Sequence, residues 1–94
     1  MKFIHESNRI YAQNTTGDVI AEITFPPCGE NTVNIDHTFV SDTLRGQGIA
    51  EKLMEATCVY LQADGRKVLL SCSYAQKWFQ SHPEKEDLLA RPDP

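Results

Sequence analysis

Apolar and polar positions alternate along the first 40 residues, in runs rich in β-forming side chains at 9–13, 19–25 and 32–40. A period of two sends successive side chains to opposite faces, so these runs predict three strands, and a short run at 3–5 fits one more. Asn14, Gly17 and Asp18 fill one gap and Pro26, Pro27, Gly29 and Asn31 the other. These are turn formers, and both gaps are short enough to be loops between antiparallel strands. From Gly48 the period lengthens: Ile49, Ala50, Leu53, Met54, Thr57, Cys58 and Leu61 share one side of a helix, with Glu51, Lys52, Glu55 and Gln62 opposite, until Asp64 and Gly65 stop it. The unbroken apolar run Val68, Leu69, Leu70 then predicts a buried strand parallel to the one before the helix, which makes residues 32–71 a β-α-β unit. Ser73 can cap a last helix in which Tyr74 and Trp78, and Ala75 and Phe79, stand four apart and pack on the sheet, and His82-Pro83 ends it. The order β-β-β-α-β-α describes an α+β fold with a mixed sheet.

A chain of 94 residues holds one domain, because a second would leave neither half enough surface to bury. The pattern carries through residues 1–84; charges and two prolines replace it from Lys85, which predicts a flexible tail over 85–94, and Glu84, Glu86 and Asp87 around its start are expected in solvent and not at a metal site. Hydrophobic content of 40% and charged content of 23% suit a soluble globular chain, and no apolar run approaches a membrane span. The N-terminus lacks the apolar stretch of a secretory signal, so a cytoplasmic location is expected. Cys28, Cys58 and Cys72 are widely spaced, with no C-x-x-C pair and no histidine in a zinc-binding pattern, so three free thiols and no metal are expected. The formal charge of -4, with Lys and Arg scattered, speaks against a basic face for nucleic acid. Any anionic ligand must then be held by local geometry.

Such geometry is offered between the strand ending at Val40 and the helix beginning near Gly48, in Ser-Asp-Thr-Leu-Arg-Gly-Gln-Gly-Ile-Ala over residues 41–50. Glycine at 46 and 48 removes the Cβ atoms that would hold a ligand away. Backbone N–H groups can therefore converge on phosphate oxygens at a helix N-terminus, where the helix dipole also favours an anion. A dinucleotide fingerprint would need a glycine at 51, where Glu51 stands, and a nucleotide P-loop would need Gly-Lys-Ser/Thr, which Gly48-Ile49-Ala50 is not. A pyrophosphate fits the segment; the plain alternative is a tight strand-to-helix turn.

Arg45-Gly46-Gln47-Gly48-Ile49-Ala50 resembles the R-x-x-G-x-A acetyl-CoA signature of the GNAT N-acetyltransferases, and the order of elements over about residues 19–82 is similar to theirs. The resemblance is closest to minimal, single-domain GNAT-like proteins. It implies that the amides of Arg45, Gly46, Gln47, Gly48, Ile49 and Ala50 bind the pyrophosphate of acetyl-CoA. It further implies that the splayed ends of the strands at 38–40, with Phe39 and Val40, and at 68–71, with Ser71, hold the pantetheine arm. GNAT domains usually carry two helices between the first strands and two more strands at the C-terminus, and these help to form the acceptor pocket. Here both are missing. The implied activity is acetyl transfer to an amine acceptor, a small molecule or a protein, that the sequence leaves unidentified. The alternative is an acyl-CoA binding or interaction module that performs no transfer.

Two side chains with useful chemistry fall near the expected thioester, at the ends of the two strands: His37 and Cys72. Cys72 precedes the helix beginning near Ser73, and a helix N-terminus favours the thiolate form of a cysteine placed there, which suits a nucleophile or a thioester contact. The competing reading is an inert core thiol. His37 is in phase with Ile35 and Phe39 if the strand runs regularly, which would bury it as a hydrogen-bonded core histidine, while a bulge would turn it elsewhere. In a catalytic role it would take a proton from the acceptor amine or from Cys72. His5 and His82 are expected at the surface.

Overall fold

The computed structural model describes residues 1–90. Its frame is one long bent hairpin. The first arm is β3 (Val19–Thr24) continued by β4 (Pro27–Gly29), and the second is β5 (Thr32–Ile35) continued by β6 (His37–Val40). Asn31, in the left-handed region at φ 54°, makes the turn between the arms. β4 lies in what the sequence presents as a loop. Pro26 and Pro27 have no N–H to give to a ladder, so the arm breaks there, and Pro26 serves only as acceptor, from the Asn34 amide at 2.9 Å. The second arm breaks opposite, at Asp36, whose amide donates to the Thr24 carbonyl and whose carboxylate accepts from the Thr24 hydroxyl.

The two halves of the hairpin belong to different sheets. β1 (Ile4–Glu6), β2 (Arg9–Gln13), β3 and β6 form an antiparallel sheet in that order, while β4, β5 and β7 (Lys67–Leu70) form the other. β5 and β7 run parallel, from Thr32 opposite Lys67 to Ile35 opposite Leu70. The crossover that parallel pairing requires is α1 (Ile49–Ala63). It starts one residue after Gly48 and ends before Gly65, which takes φ 70° as its chain reverses. This is the mixed α+β architecture that the periodicities predict.

Ile10, Ala12, Ala21 and Ile23 from the sheet and Leu53, Met54, Cys58 and Leu61 from α1 are buried together, at most 1% exposed. Thr57 is buried among them because its hydroxyl donates to the Leu53 carbonyl at 2.8 Å. α2 (Ser73–Ser81) adds Ala75, Trp78 and Phe79 to the core, as its spacing predicts. Among the described residues no helix covers the opposite face of the β1-β2-β3-β6 sheet. On it the Arg9 guanidinium lies 3.7 Å from the Tyr11 ring centre and its Nε donates to Glu22 at 2.6 Å. No helix among the described residues is long and apolar enough to cross a membrane.

The chain does not become a tail at Lys85. Pro83–Leu88 form a 3-10 helix, Leu88 is buried, and the Ala90 amide donates to the Val68 carbonyl at 2.8 Å on the free side of β7. The polar composition of this stretch conceals one inward residue, Leu88, which ties it down. The remainder of the expected tail, 91–94, lies outside the described residues.

His82 also departs from expectation, because it is only partly exposed and links α2 to α1. Its ring stacks on Trp78, with centroids 3.8 Å apart and planes 11° from parallel. Nδ1 lies 2.7 Å from the Trp78 carbonyl and Nε2 lies 3.1 Å from Glu51 Oε1, while the Trp78 indole N–H donates to Glu51 Oε2 at 2.6 Å. A carbonyl and a carboxylate only accept, so the imidazole satisfies both when each nitrogen carries a proton. The hydrogen bond to the Trp78 carbonyl, helped by the Glu51 and Glu84 carboxylates and opposed by partial loss of hydration, raises the His82 pKa. The folded protein therefore holds this proton more tightly than the unfolded chain does. The resulting stabilisation is complete below the unfolded value of about 6.5 and is lost as pH rises through the raised folded value. Urea unfolding followed from about pH 5.5 to pH 9 is expected to show stability falling with pH, with a shallower fall in His82→Gln. Identical pH profiles for the two proteins would remove this linkage.

Candidate functional site

The two sheets part at a single carbonyl. Ile35 O accepts from both the Ser71 and the Cys72 amides, each at 3.1 Å, and beyond it the chains diverge. β6 leaves paired with β3, in a register that sets His37 opposite Thr24 and Val40 opposite Ala21, while Cys72 turns into α2 as its N-cap residue. Among the described residues the edge of β6 away from β3 has no strand partner, and β6 and the start of α2 diverge as a wedge. Across the wedge the Cys72 thiol donates to the Thr38 hydroxyl at 3.6 Å.

At the outer end of β6 the chain makes a short 3-10 turn, Asp42–Leu44, capped by the Ser41 hydroxyl, and reaches the glycines. Gly46 at φ 81° and Gly48 at φ 70° are in the left-handed region, and a Cβ built on either meets no atom within 4 Å. Space for a side chain exists at both places, so backbone conformation and not crowding in the unliganded fold calls for glycine. The Arg45 and Gln47 amides close the turn, on the Asp42 and Leu44 carbonyls at 3.3 Å each. Those of Gly46, Gly48, Ile49, Ala50 and Glu51 donate to no protein group among the described residues. Five open donors thus collect around the N-terminus of a 15-residue helix, where the helix dipole is positive. They border a groove of about 350 Å³ lined by Val40, Leu44, Arg45, Gly46, Gly48, Ile49, Ala50, Glu51 and Tyr74. Arg45 reaches into solvent, and among the described residues its guanidinium pairs with Asp42, 2.9 Å away.

Of the sequence-derived positions, Arg45, Gly46, Gly48, Ile49, Ala50 and Val40 meet at this groove; Gln47 is in the same turn but does not line it. Ser71 and Cys72 stand at the fork. Phe39 is 41% exposed and, like His37, points to the helix-free face. His37 is thus not the core histidine that a regular strand from 32 to 40 would give. The break at Asp36 shifts the alternation by one position, so Thr38 faces inward and the His37 side chain is 55% exposed, with Nε2 3.7 Å from Glu22 Oε1. His37 and the thiol of Cys72 are consequently on opposite faces of β6.

Among the other thiols, Cys28 is exposed on β4, and Cys58 is buried, where loss of hydration pushes its pKa up to about 11. Tyr74 and Glu51 join the groove although their spacing gives Tyr74 to the core and Glu51 to the solvent side. Tyr74 is half-buried, and burial raises its pKa. A helical repeat reports a direction around one axis, and cannot report that α2 comes to rest beside the N-terminus of α1.

Comparison with known proteins agrees with this arrangement. The family of GCN5-related N-acetyl-transferases matches residues 9–88. The solution structure of a GCN5-like protein from Staphylococcus aureus superimposes with a TM-score of 0.79 at 30% identity, covering 98% of this chain and 90% of that one. The GNAT family N-acetyltransferase YhbS from Escherichia coli, in a crystal structure in complex with CoA, aligns at TM-score 0.58 and 28% identity over 66% of this chain and 38% of that one. Protein NATD1 of Xenopus tropicalis is 35% identical over 63 residues, which is 67% of this chain and 58% of that protein. The chain thus spans less than two thirds of the curated relatives it matches. The sequence signature, the β-α-β fork and the family match converge: this chain belongs to the GCN5-related N-acetyltransferase family.

Proposed function

We propose that this chain binds acetyl-CoA at the fork and transfers its acetyl group to an amine. The observation that carries the reading is the set of five unpartnered amides at the start of α1, opening on a groove whose glycines leave room for a diphosphate. The complex of YhbS with CoA, at 28% identity, supports the same ligand here. The amides of Gly46, Gly48, Ile49 and Ala50 would take the diphosphate oxygens, with Gln47 shaping the turn and Arg45 able to leave Asp42 for a phosphate. From there the pantetheine arm would follow the free edge of β6, along Phe39 and Val40, toward Ser71, and bring the thioester into the wedge. Backbone groups of an unpaired strand edge suit the amides of pantetheine, which need both donors and acceptors.

In direct transfer the amine nitrogen attacks the thioester carbonyl carbon, the C–S bond breaks, CoA leaves as thiolate, and the amine gives up one proton. His37, the base that the sequence offers, lies on the face of β6 turned away from the wedge, so this proton would pass to water. In a two-step route the Cys72 sulfur attacks first, CoA leaves, and the amine then displaces Cys72 from the acetyl group. The position of Cys72 on the wedge supports its place in this second route; His37, on the other face of β6, faces neither the thiol nor the amine that attacks it. A second reading, a binding module that performs no transfer, is favoured by the helix-free outer sheet face, which supplies no walls for an acceptor.

Acetyl-CoA is expected to raise the melting temperature, and Gly48→Glu to abolish the rise, because a carboxylate would then stand among the diphosphate donors. Gly17→Glu provides the control, since Gly17 has an equally positive φ of 87° in the distant β2-β3 turn and bears the same backbone penalty. Loss of the shift in both variants, or none in the unmutated protein, would contradict the assignment.

Alkylation by iodoacetamide is expected to modify Cys28 and Cys72 in the folded protein and to spare Cys58. Acetyl-CoA should protect Cys72 alone, and Cys72→Ala should abolish any acetyl adduct seen by mass spectrometry. Equal protection of Cys28, or no protection of Cys72, would place the thioester elsewhere.

A further inference from the structure

Glu51 is the third residue of α1, counted from its N-cap Gly48. A glutamate at this position commonly folds back and accepts from the N-cap amide, so that the helix is capped by its own side chain. Here such a cap would set a carboxylate on the Gly48 amide, one of the donors in the cradle, and confront an incoming diphosphate with a negative charge. The side chain does not do so. Its two oxygens are taken by α2 and the residue after it: Oε2 by the Trp78 indole N–H at 2.6 Å and Oε1 by His82 Nε2 at 3.1 Å. The two donors are themselves fixed, because Trp78 is 4% exposed in the core and His82 stacks on it while its other nitrogen is held by the Trp78 carbonyl. The Gly48 amide is left open.

On the reading that the cradle takes the diphosphate of acetyl-CoA, we propose that Glu51 is a positioning residue, held aside by Trp78 and His82 so that it cannot cap α1 in place of the ligand. The latch also couples the two halves of the site. The same carboxylate that is kept off the Gly48 amide ties the N-terminal turn of α1 to α2, the helix whose N-cap is Cys72.

The test is a rescue. Trp78→Phe keeps an aromatic ring in the core but removes the indole donor, and should weaken acetyl-CoA binding about three- to tenfold in calorimetry as Glu51 turns onto the helix end. Adding Glu51→Ala to it removes the competing carboxylate and should recover most of the lost affinity. His82→Ala, alone and with Glu51→Ala, repeats the pair at a partly exposed position should Trp78→Phe fail to fold. If the double variants bind no better than the single ones, or if the single ones bind as well as the unmutated protein, the latch serves only to pack the helices and the proposal fails. The Gly48 amide supplies a readout that needs no cofactor. Its NMR signal should move downfield, and its hydrogen exchange slow, in Trp78→Phe or His82→Ala, and both changes should reverse on adding Glu51→Ala. If acetyl-CoA does not bind the unmutated protein, the functional reading falls, while the Gly48 signal still decides whether Glu51 is restrained from capping.

Discussion

The site depends on the double acceptance at the Ile35 carbonyl, where the Ser71 and Cys72 amides both end. Up to that point β5 and β7 are an ordinary parallel pair, and past it neither chain can continue the ladder. The second arm of the hairpin has switched to β3 at Asp36, and the other chain has begun α2. An unpaired strand edge inside a sheet is costly if it is buried, and here it faces the wedge. The fork therefore leaves β6 as an edge strand among the described residues, and brings Thr38 and Cys72 together across the opening. The same divergence sends β6 outward to the glycine turn, so the amide cradle and the wedge are two ends of one track.

Charge is handled locally, as it must be in a chain of formal charge -4. The cradle attracts an anion through backbone N–H groups and the end of a helix, which depend little on the net charge of the molecule. The carboxylate of Glu51, whose own amide is one of the cradle's donors, is held in place by hydrogen bonds with His82 and with the indole of Trp78. Stability and site geometry meet in that cluster, since the groups that join α1 to α2 also determine which way Glu51 points.

Much of this was legible in the sequence, because it depends on neighbours in the chain. The strand alternation, the helix beginning beside Gly48 and ending by Gly65, and the R-x-x-G-x-A signature are local, and each corresponds to an element of the fold. The misreadings are non-local. His37 looks like an inward residue until the strand changes partner at Asp36, a step that depends on Thr24 and on the two prolines opposite. Residues 85–90 look like a tail because only Leu88, Leu89 and Ala90 follow a run of charges, and the contacts that tie them down are made to the core and to β7 far back in the chain. His82 and Glu51 are 31 positions apart in the chain, so no periodicity links them, although His82-Pro83 correctly marked the end of a helix. Tyr74 packs against the core as its spacing predicts, and it also lines the groove because α2 starts at the fork.

The central claim is that one ligand occupies both the cradle and the wedge, and backbone amide NMR of the isotopically labelled protein titrated with acetyl-CoA tests it most directly. The largest changes are expected at Gly46 and at Gly48, Ile49, Ala50 and Glu51, with a second group at Thr38 and Cys72, both saturating with one dissociation constant. Changes confined to the groove between β7 and α2 around Leu70, Phe79 and Leu89, or an unperturbed Gly48 at saturation, would contradict it.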